Sequence, residues 1–176
     1  MIIKIKYGNL VEEQSTFIVN ASNTELQLGS GVSRAFYEQC GGSSFQEELN
    51  ELKKNFNTIR QGDVLISSSG TATNFQYALH IAVMNYSDPT KSPLPTYEHI
   101  KNALKNTINI VNEKIENEHI ENPKLVIPLL GCGVGGLEKE KVFSIIKKSF
   151  EQTDMDLEVI IYLHNQKDYL EFSMKE

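Results

Sequence analysis

The chain has 176 residues, with 40% hydrophobic and 23% charged, 17 basic residues against 23 acidic, and a formal net charge of −6. That length suits one domain with a real core, residues 1–176. The acidic balance argues against broad nucleic-acid binding, which relies on Lys and Arg to neutralise phosphates. Cys40 and Cys132 are the two cysteines. They show no metal-ligand spacing, so neither a disulfide scaffold nor a zinc site is expected, and a reducing cytoplasm is the simplest home. No cofactor is expected.

The opening Met1-Ile2-Ile3-Lys4-Ile5-Lys6 alternates like a half-buried strand over residues 1–7. It does not read as a signal peptide, and no run is long enough to span a membrane. Gly8-Asn9-Leu10 follows. Phe17-Ile18-Val19 reads as the buried end of a strand, after which the chain changes to the small and amide residues Asn20-Ala21-Ser22-Asn23, with Asn23 at a loop tip. The turn Gly29-Ser30-Gly31-Val32 then leads into a helix containing Ala35, Phe36 and Gln39. A strand passing through glycines into a helix start offers unpaired N–H groups to an anion. The loop lacks the Gly-Lys-Ser/Thr ending of a Walker sequence and the third glycine of a dinucleotide fingerprint.

Ser43 is a plausible N-cap for an amphipathic helix with Phe45, Leu49, Leu52 and Phe56 on its apolar face. Residues 62–66 and 76–81 read as strands joined by a polar connection from Ser67 to Asn74, close enough in sequence to pair antiparallel. His80, in an apolar strand, is expected to be a satisfied core histidine. Pro95-Thr96 starts the longest helix, running to about Glu118. The apolar run Leu125 to Leu130 reads as a strand covered on both faces, followed by Gly131-Cys132-Gly133-Val134-Gly135-Gly136 and a helix from near Glu138. Residues 157–163 form a last strand, and residues 168–172 a short helix. The expected fold is a three-layer α/β/α sandwich around a mixed, about six-stranded sheet. Two strand–glycine loop–helix units point to two loops closing on one phosphate-bearing ligand.

In this order the segments resemble the macro domain, a module that binds ADP-ribose. Asn20-Ala21-Ser22-Asn23 is similar to the family's Asn-Ala-Ala-Asn, Gly29 to Val32 to its first loop, and Gly131 to Gly136 to the loop that clasps the diphosphate. Val159 to Asn165 resembles its last strand. The resemblance implies a ligand-binding set of Asn9, Leu10, Asn20, Asn23, Gly29, Gly31, Val32, Ser33, Gly131, Cys132, Gly133, Val134, Gly135, His164 and Asn165. Adenine would lie near Asn9 and His164, and the distal ribose near Asn23. Asn9 stands where the family commonly has an aspartate, and a neutral amide makes a weaker bond to the adenine amino group.

The family's hydrolytic branches use carboxylates that are absent here. Ser33 replaces the aspartate after the first loop, and a serine hydroxyl without an activator is neither base nor nucleophile. In the branch that cleaves glutamate-linked ADP-ribose, the expected aspartate falls on Gly135 and the expected lysine near Ala82. Cys132 has no basic partner evident in sequence and reads as a small buried thiol. The implied partner is therefore ADP-ribose or an ADP-ribosylated protein, bound without evident catalytic carboxylates, with Asn23 the best candidate for any catalytic role. The alternative is a hydrolase acting on ADP-ribosylated protein, O-acetyl-ADP-ribose or ADP-ribose-1″-phosphate. A nucleic-acid-binding domain is the less favoured third possibility.

Overall fold

The computed structural model describes residues 1–29 and 31–174. Ser30, which belongs to the first glycine loop, lies outside that set. Six strands, β1 (Ile2–Tyr7), β2 (Phe17–Asn23), β3 (Val64–Ser68), β4 (Tyr77–Met84), β5 (Lys124–Pro128) and β6 (Glu158–Leu163), form one sheet in the order β1-β6-β5-β2-β4-β3. All neighbours are parallel except β3, which runs antiparallel to β4. A parallel strand needs a long crossover, and the short polar connection before β4 permits only a hairpin-like return.

The helices are α1 (Gly31–Cys40), α2 (Ser43–Lys53), α3 (Tyr97–Glu118), α4 (Lys139–Glu151) and α5 (Gln166–Ser173). Because side chains alternate across a strand, β2 feeds both layers. Phe17 and Val19 pack with Ile100, Leu104, Val142 and Ile146 of α3 and α4. Ile18 faces the other way, with Phe36, Phe45 and Leu49 of α1 and α2. Three layers result, as the patterning predicts. The longest helix starts where Pro95-Thr96 predicts: Thr96 Oγ1 accepts from the His99 N–H at 3.2 Å, and His99 Nδ1 accepts from the Thr96 N–H at 3.1 Å, a reciprocal cap.

Four local expectations are corrected. The strand does not end at Val19 and Asn23 is not at a loop tip: Asn20 to Asn23 are the second half of β2. Asn20 is tolerated there because its amide finds partners, while the buried Ser22 hydroxyl has none among the described residues. Ser67 and Ser68 likewise belong to β3 rather than to the connection. Ser43 is the first residue of α2, preceded by Gly42 with no side-chain cap. Phe56 lies beyond the end of that helix and is 46% exposed, so the apolar stripe stops at Leu52.

Candidate functional site: a crevice between four strand ends

The routes out of the strands define the site. After β1 the chain enters a short 3₁₀ turn (Leu10–Glu12), and after β2 it reaches α1; both pack on the α1/α2 side of the sheet. After β5 it reaches α4 and after β6 it reaches α5, which pack on the opposite side. β2 and β5 are neighbours, as are β1 and β6. These four of the five parallel strands therefore send their carboxyl-end loops to opposite faces in adjacent pairs. That is the topological switch at which open α/β sheets bind ligands. The β2–β5 ladder contains only Phe17↔Leu125 and Ile18↔Val126, while β2 runs on to Asn23.

One wall is the end of β2 and the first turn of α1. The N–H groups of Gly31, Val32 and Ser33 have no intrahelical acceptor, as at any helix start, and they carry the positive end of the helix dipole. A Cβ built on Gly29 or Gly31 meets nothing within 4 Å, so the main chain is open to an approaching ligand here. Ser33 is 4% exposed, and its Oγ lies 3.0 Å from Asn20 Oδ1 and 3.2 Å from the Ala21 carbonyl. Its hydroxyl thus pins the helix start to β2. Asn20 is fully buried, with Nδ2 at 3.0 Å from His80 Nδ1. Expected among the ligand contacts, Asn20 is a correction: it lies beneath the wall, because Ser33 and His80 occupy both ends of its amide. Asn23 closes its own turn. Its Oδ1 accepts from the N–H of Glu25 at 3.0 Å and of Gln27 at 3.3 Å, and its Nδ2 donates to the Gln27 carbonyl at 3.3 Å. This stabilises the bend in which Leu26 takes φ +54° and is fully buried.

The opposite wall is the loop from Gly131 to Gly136, built by backbone. The N–H of Leu137 donates to the Gly131 carbonyl at 2.9 Å, and that of Gly136 to the Gly133 carbonyl at 3.2 Å. A Cβ on Gly135 would stand 2.5 Å from the Gly131 carbonyl oxygen, and one on Gly131, where φ is +75°, 2.9 Å from Leu137 Cδ1. Only glycine fits either place. Gly133 differs, since a Cβ there meets nothing. The N–H groups of Gly133, Val134 and Gly135 have no partner among the described residues. Three successive free amides are donors available to an anion. Val134 stands 80% exposed at the tip. Cys132 is half-buried, and burial pushes its thiol up to about 11, so it is protonated at neutral pH and unsuited to nucleophilic attack.

At the far end, Asn9 caps the 3₁₀ turn through a long contact from the Val11 N–H to Oδ1, 3.4 Å, while Leu10 is buried beneath it. His164 is exposed at the end of β6. Asn165 caps α5, with Oδ1 accepting from the Asp168 N–H at 2.9 Å. Leu10 is thus a packing residue in this structure, whereas Asn9, His164 and Asn165 sit at the rim.

Sequence reasoning missed three supports. Gln46 of α2 holds the bend after β2, accepting from the Leu28 N–H and donating to the Leu26 carbonyl, both at 2.9 Å. Lys139 of α4 pairs at 2.8 Å with the buried carboxylate of Asp168 on α5, tying together the two helices on the second wall. Ser67 joins His80 Nε2 at 2.8 Å. None carries a local motif; each contact spans many residues and exists only once the sheet is formed. Ala82, where the resemblance looks for a lysine, is fully buried. Among the described residues no cluster of His, Cys, Asp and Glu could hold a metal ion, and no helix is long and apolar enough to cross a membrane. A groove of about 970 Å³ lies elsewhere, between the outer faces of α3 and α4. It receives no strand end, so the crevice is the better candidate.

Known proteins share this architecture. The macrodomain of Oceanobacillus iheyensis with ADP superposes with a TM-score of 0.77 at 20% identity, over 98% of this chain and 88% of that one. The Trypanosoma brucei macrodomain in complex with ADP-ribose gives 0.70 at 18% identity, over 98% of this chain and 68% of that one. In sequence, the ADP-ribose glycohydrolase OARD1 of Bos taurus is 26% identical over 148 residues, covering 83% of this chain and 82% of that protein. Residues 19–146, from within β2 to within α4 and including both glycine loops, match the Macro domain, and the chain belongs to that family.

Proposed function

We propose that this macro domain binds ADP-ribose or an ADP-ribose derivative, free or attached to a protein, in the crevice between the two glycine loops. The observation that carries this is the pair of donor sets that follow the neighbouring strands β2 and β5 at the topological switch: the first-turn amides of α1 and the unpaired amides of residues 133–135. Amides and a helix dipole hold a diphosphate without net positive charge, which reconciles an anionic ligand with a chain of charge −6. Gly29, Gly31, Val32 and Ser33 would face one phosphate, and Gly131, Cys132, Gly133, Val134 and Gly135 the other. Adenine would lie at the rim, against His164 and within reach of Asn9 and Asn165. The distal ribose would approach Asn23, whose amide would have to loosen part of its turn. The structures solved with ADP and with ADP-ribose support the ligand class. Two free cysteines fit a reducing cytoplasm.

Titration calorimetry tests the assignment. ADP-ribose should bind at least about tenfold more tightly than AMP, because the second phosphate gains its own donor set. Equal affinities would remove the second loop from the site. A second proposal, turnover of ADP-ribose linkages, is supported by the glycohydrolase name of the OARD1 relative. Against it stand Ser33 and Gly135 where carboxylates would be needed. Incubation with an ADP-ribosylated acceptor and with ADP-ribose-1″-phosphate separates binder from hydrolase: free ADP-ribose should not accumulate above a control lacking protein.

A further inference from the structure

Four polar side chains run in single file through the α1/α2 side of the sheet: Ser67 on β3, His80 on β4, Asn20 on β2 and Ser33 on α1. Ser67 Oγ is 2.8 Å from His80 Nε2, His80 Nδ1 is 3.0 Å from Asn20 Nδ2, and Asn20 Oδ1 is 3.0 Å from Ser33 Oγ. All four are buried: Asn20 and His80 fully, Ser33 at 4% and Ser67 at 8% exposure. Around His80 stand the rings of Phe36 and Phe45, with centroids at 6.2 and 5.9 Å. Burial holds its pKa down to about 3, so every member of the file is neutral at physiological pH.

The hydrogen count gives the file two complete polarities. With the Asn20 amide as placed, Nδ2 donates to His80 Nδ1, so the ring proton is on Nε2 and donates to Ser67 Oγ. Ser67 then donates to the Ser68 carbonyl at 2.8 Å, and Ser33 donates to Asn20 Oδ1. Rotating the Asn20 amide by half a turn reverses each step. His80 then carries its proton on Nδ1, Asn20 donates to Ser33 Oγ, and Ser33 donates to the Ala21 carbonyl at 3.2 Å. Ser67 then donates to His80 Nε2. A backbone carbonyl waits at each end, so in either polarity every bond along the file has one donor and one acceptor, and only the second Nδ2 proton of Asn20 takes no part.

We propose that His80 and Asn20 are positioning residues for the anion site, and that Ser67, on the far strand, selects the polarity that Ser33 presents at the first turn of α1. This rests on the assignment of that turn to a ligand phosphate. No member of the file except Ser33 is near the ligand. The direction of the Ser33 hydroxyl decides whether the helix start is tied to the Asn20 side chain alone or to both that side chain and the β2 backbone. Removing the Ser67 hydroxyl takes away the acceptor of the Nε2 proton, which favours the Nδ1 tautomer and reverses the file.

The test is ¹⁵N NMR of histidine-labelled protein, with the backbone amide of Ser33 followed in the absence of ligand and the Kd for ADP-ribose measured in parallel. Wild type should show a neutral His80 with its proton on Nε2. Ser67→Ala should move that proton to Nδ1, shift the Ser33 amide resonance and change the Kd by about threefold or more. Ser67→Thr, which keeps the hydroxyl, should restore wild-type behaviour, and Ser68→Ala should leave all three readouts unchanged. An unmoved tautomer or an unmoved Ser33 amide in Ser67→Ala overturns the proposal, as does a Kd that stays fixed while the tautomer changes. If wild type binds no ADP-ribose, the ligand assignment fails, while the ligand-free amide shift still decides whether the file reaches the helix.

Discussion

The two walls of the crevice solve the same problem, holding free amides in place, by different means. The α1 wall is fixed by side chains: Ser33 to Asn20, Asn20 to His80, Asn23 to its own turn, and Gln46 to residues 26 and 28. The 131–136 wall is fixed by absence of side chains, with Gly135 lying against Gly131 closely enough to exclude a methyl group. A wall held by side chains can be tuned by distant substitutions, because each hydrogen bond has a chemical partner that can be altered. A wall held by close backbone packing is either intact or broken. The first arrangement therefore suits graded adjustment and the second a fixed geometry.

That contrast can be broken most directly at Gly135. Gly135→Ala places a Cβ 2.5 Å from a backbone oxygen that has no flexible tip to move aside. It should cost on the order of 2–4 kcal/mol in urea denaturation and abolish ligand binding. A variant as stable as wild type would show that the loop is pliable. Next in size is the pH dependence of the side-chain wall. His80 is held neutral by burial, with its pKa lowered from 6.5 to about 3. Below pH 6.5 the unfolded chain takes up a proton that the folded protein refuses, so stability falls as the pH drops from 6.5 toward 3 and is fully present above 6.5. The slope from this group approaches about 1.4 kcal/mol per pH unit. Unfolding curves at pH 7, 5.5 and 4 should be steeper in this respect for wild type than for His80→Gln, and parallel behaviour would show that His80 takes up its proton in the fold.

Gly133→Glu sharpens the comparison from the other side. Its Cβ points into open space, so thermal stability should hold within a few degrees, while a carboxylate beside the free amides should weaken ADP-ribose binding at least about tenfold. Calorimetry showing undiminished affinity would place the diphosphate elsewhere. The smallest effect is expected at Asn23. Loss of its three turn hydrogen bonds in Asn23→Ala should cost about 0.5–1.5 kcal/mol. Affinity measured below the melting transition separates its roles: a change within twofold assigns Asn23 to the turn alone, and a larger loss adds a ribose contact.

Composition, periodicity and glycine placement determined the layered architecture, the existence of both loops and their positions after buried strands, because those signals are local and repeat every two or three to four residues. The antiparallel return before β4 was also legible, from the shortness of its connection. Only the tertiary structure decided which polar residues face a ligand and which face the interior. Asn20 and Asn23 are both asparagines in one stretch, yet strand alternation sends Asn20 toward α1 and His80, and leaves Asn23 to close a turn. The Ser67–His80–Asn20–Ser33 file draws on four elements separated by as many as 60 residues between bonded partners, and no short window of sequence contains it. A local pattern can fix where a chain bends or buries itself. Which donor meets which acceptor depends on strand order and register, and those are set only when the sheet closes.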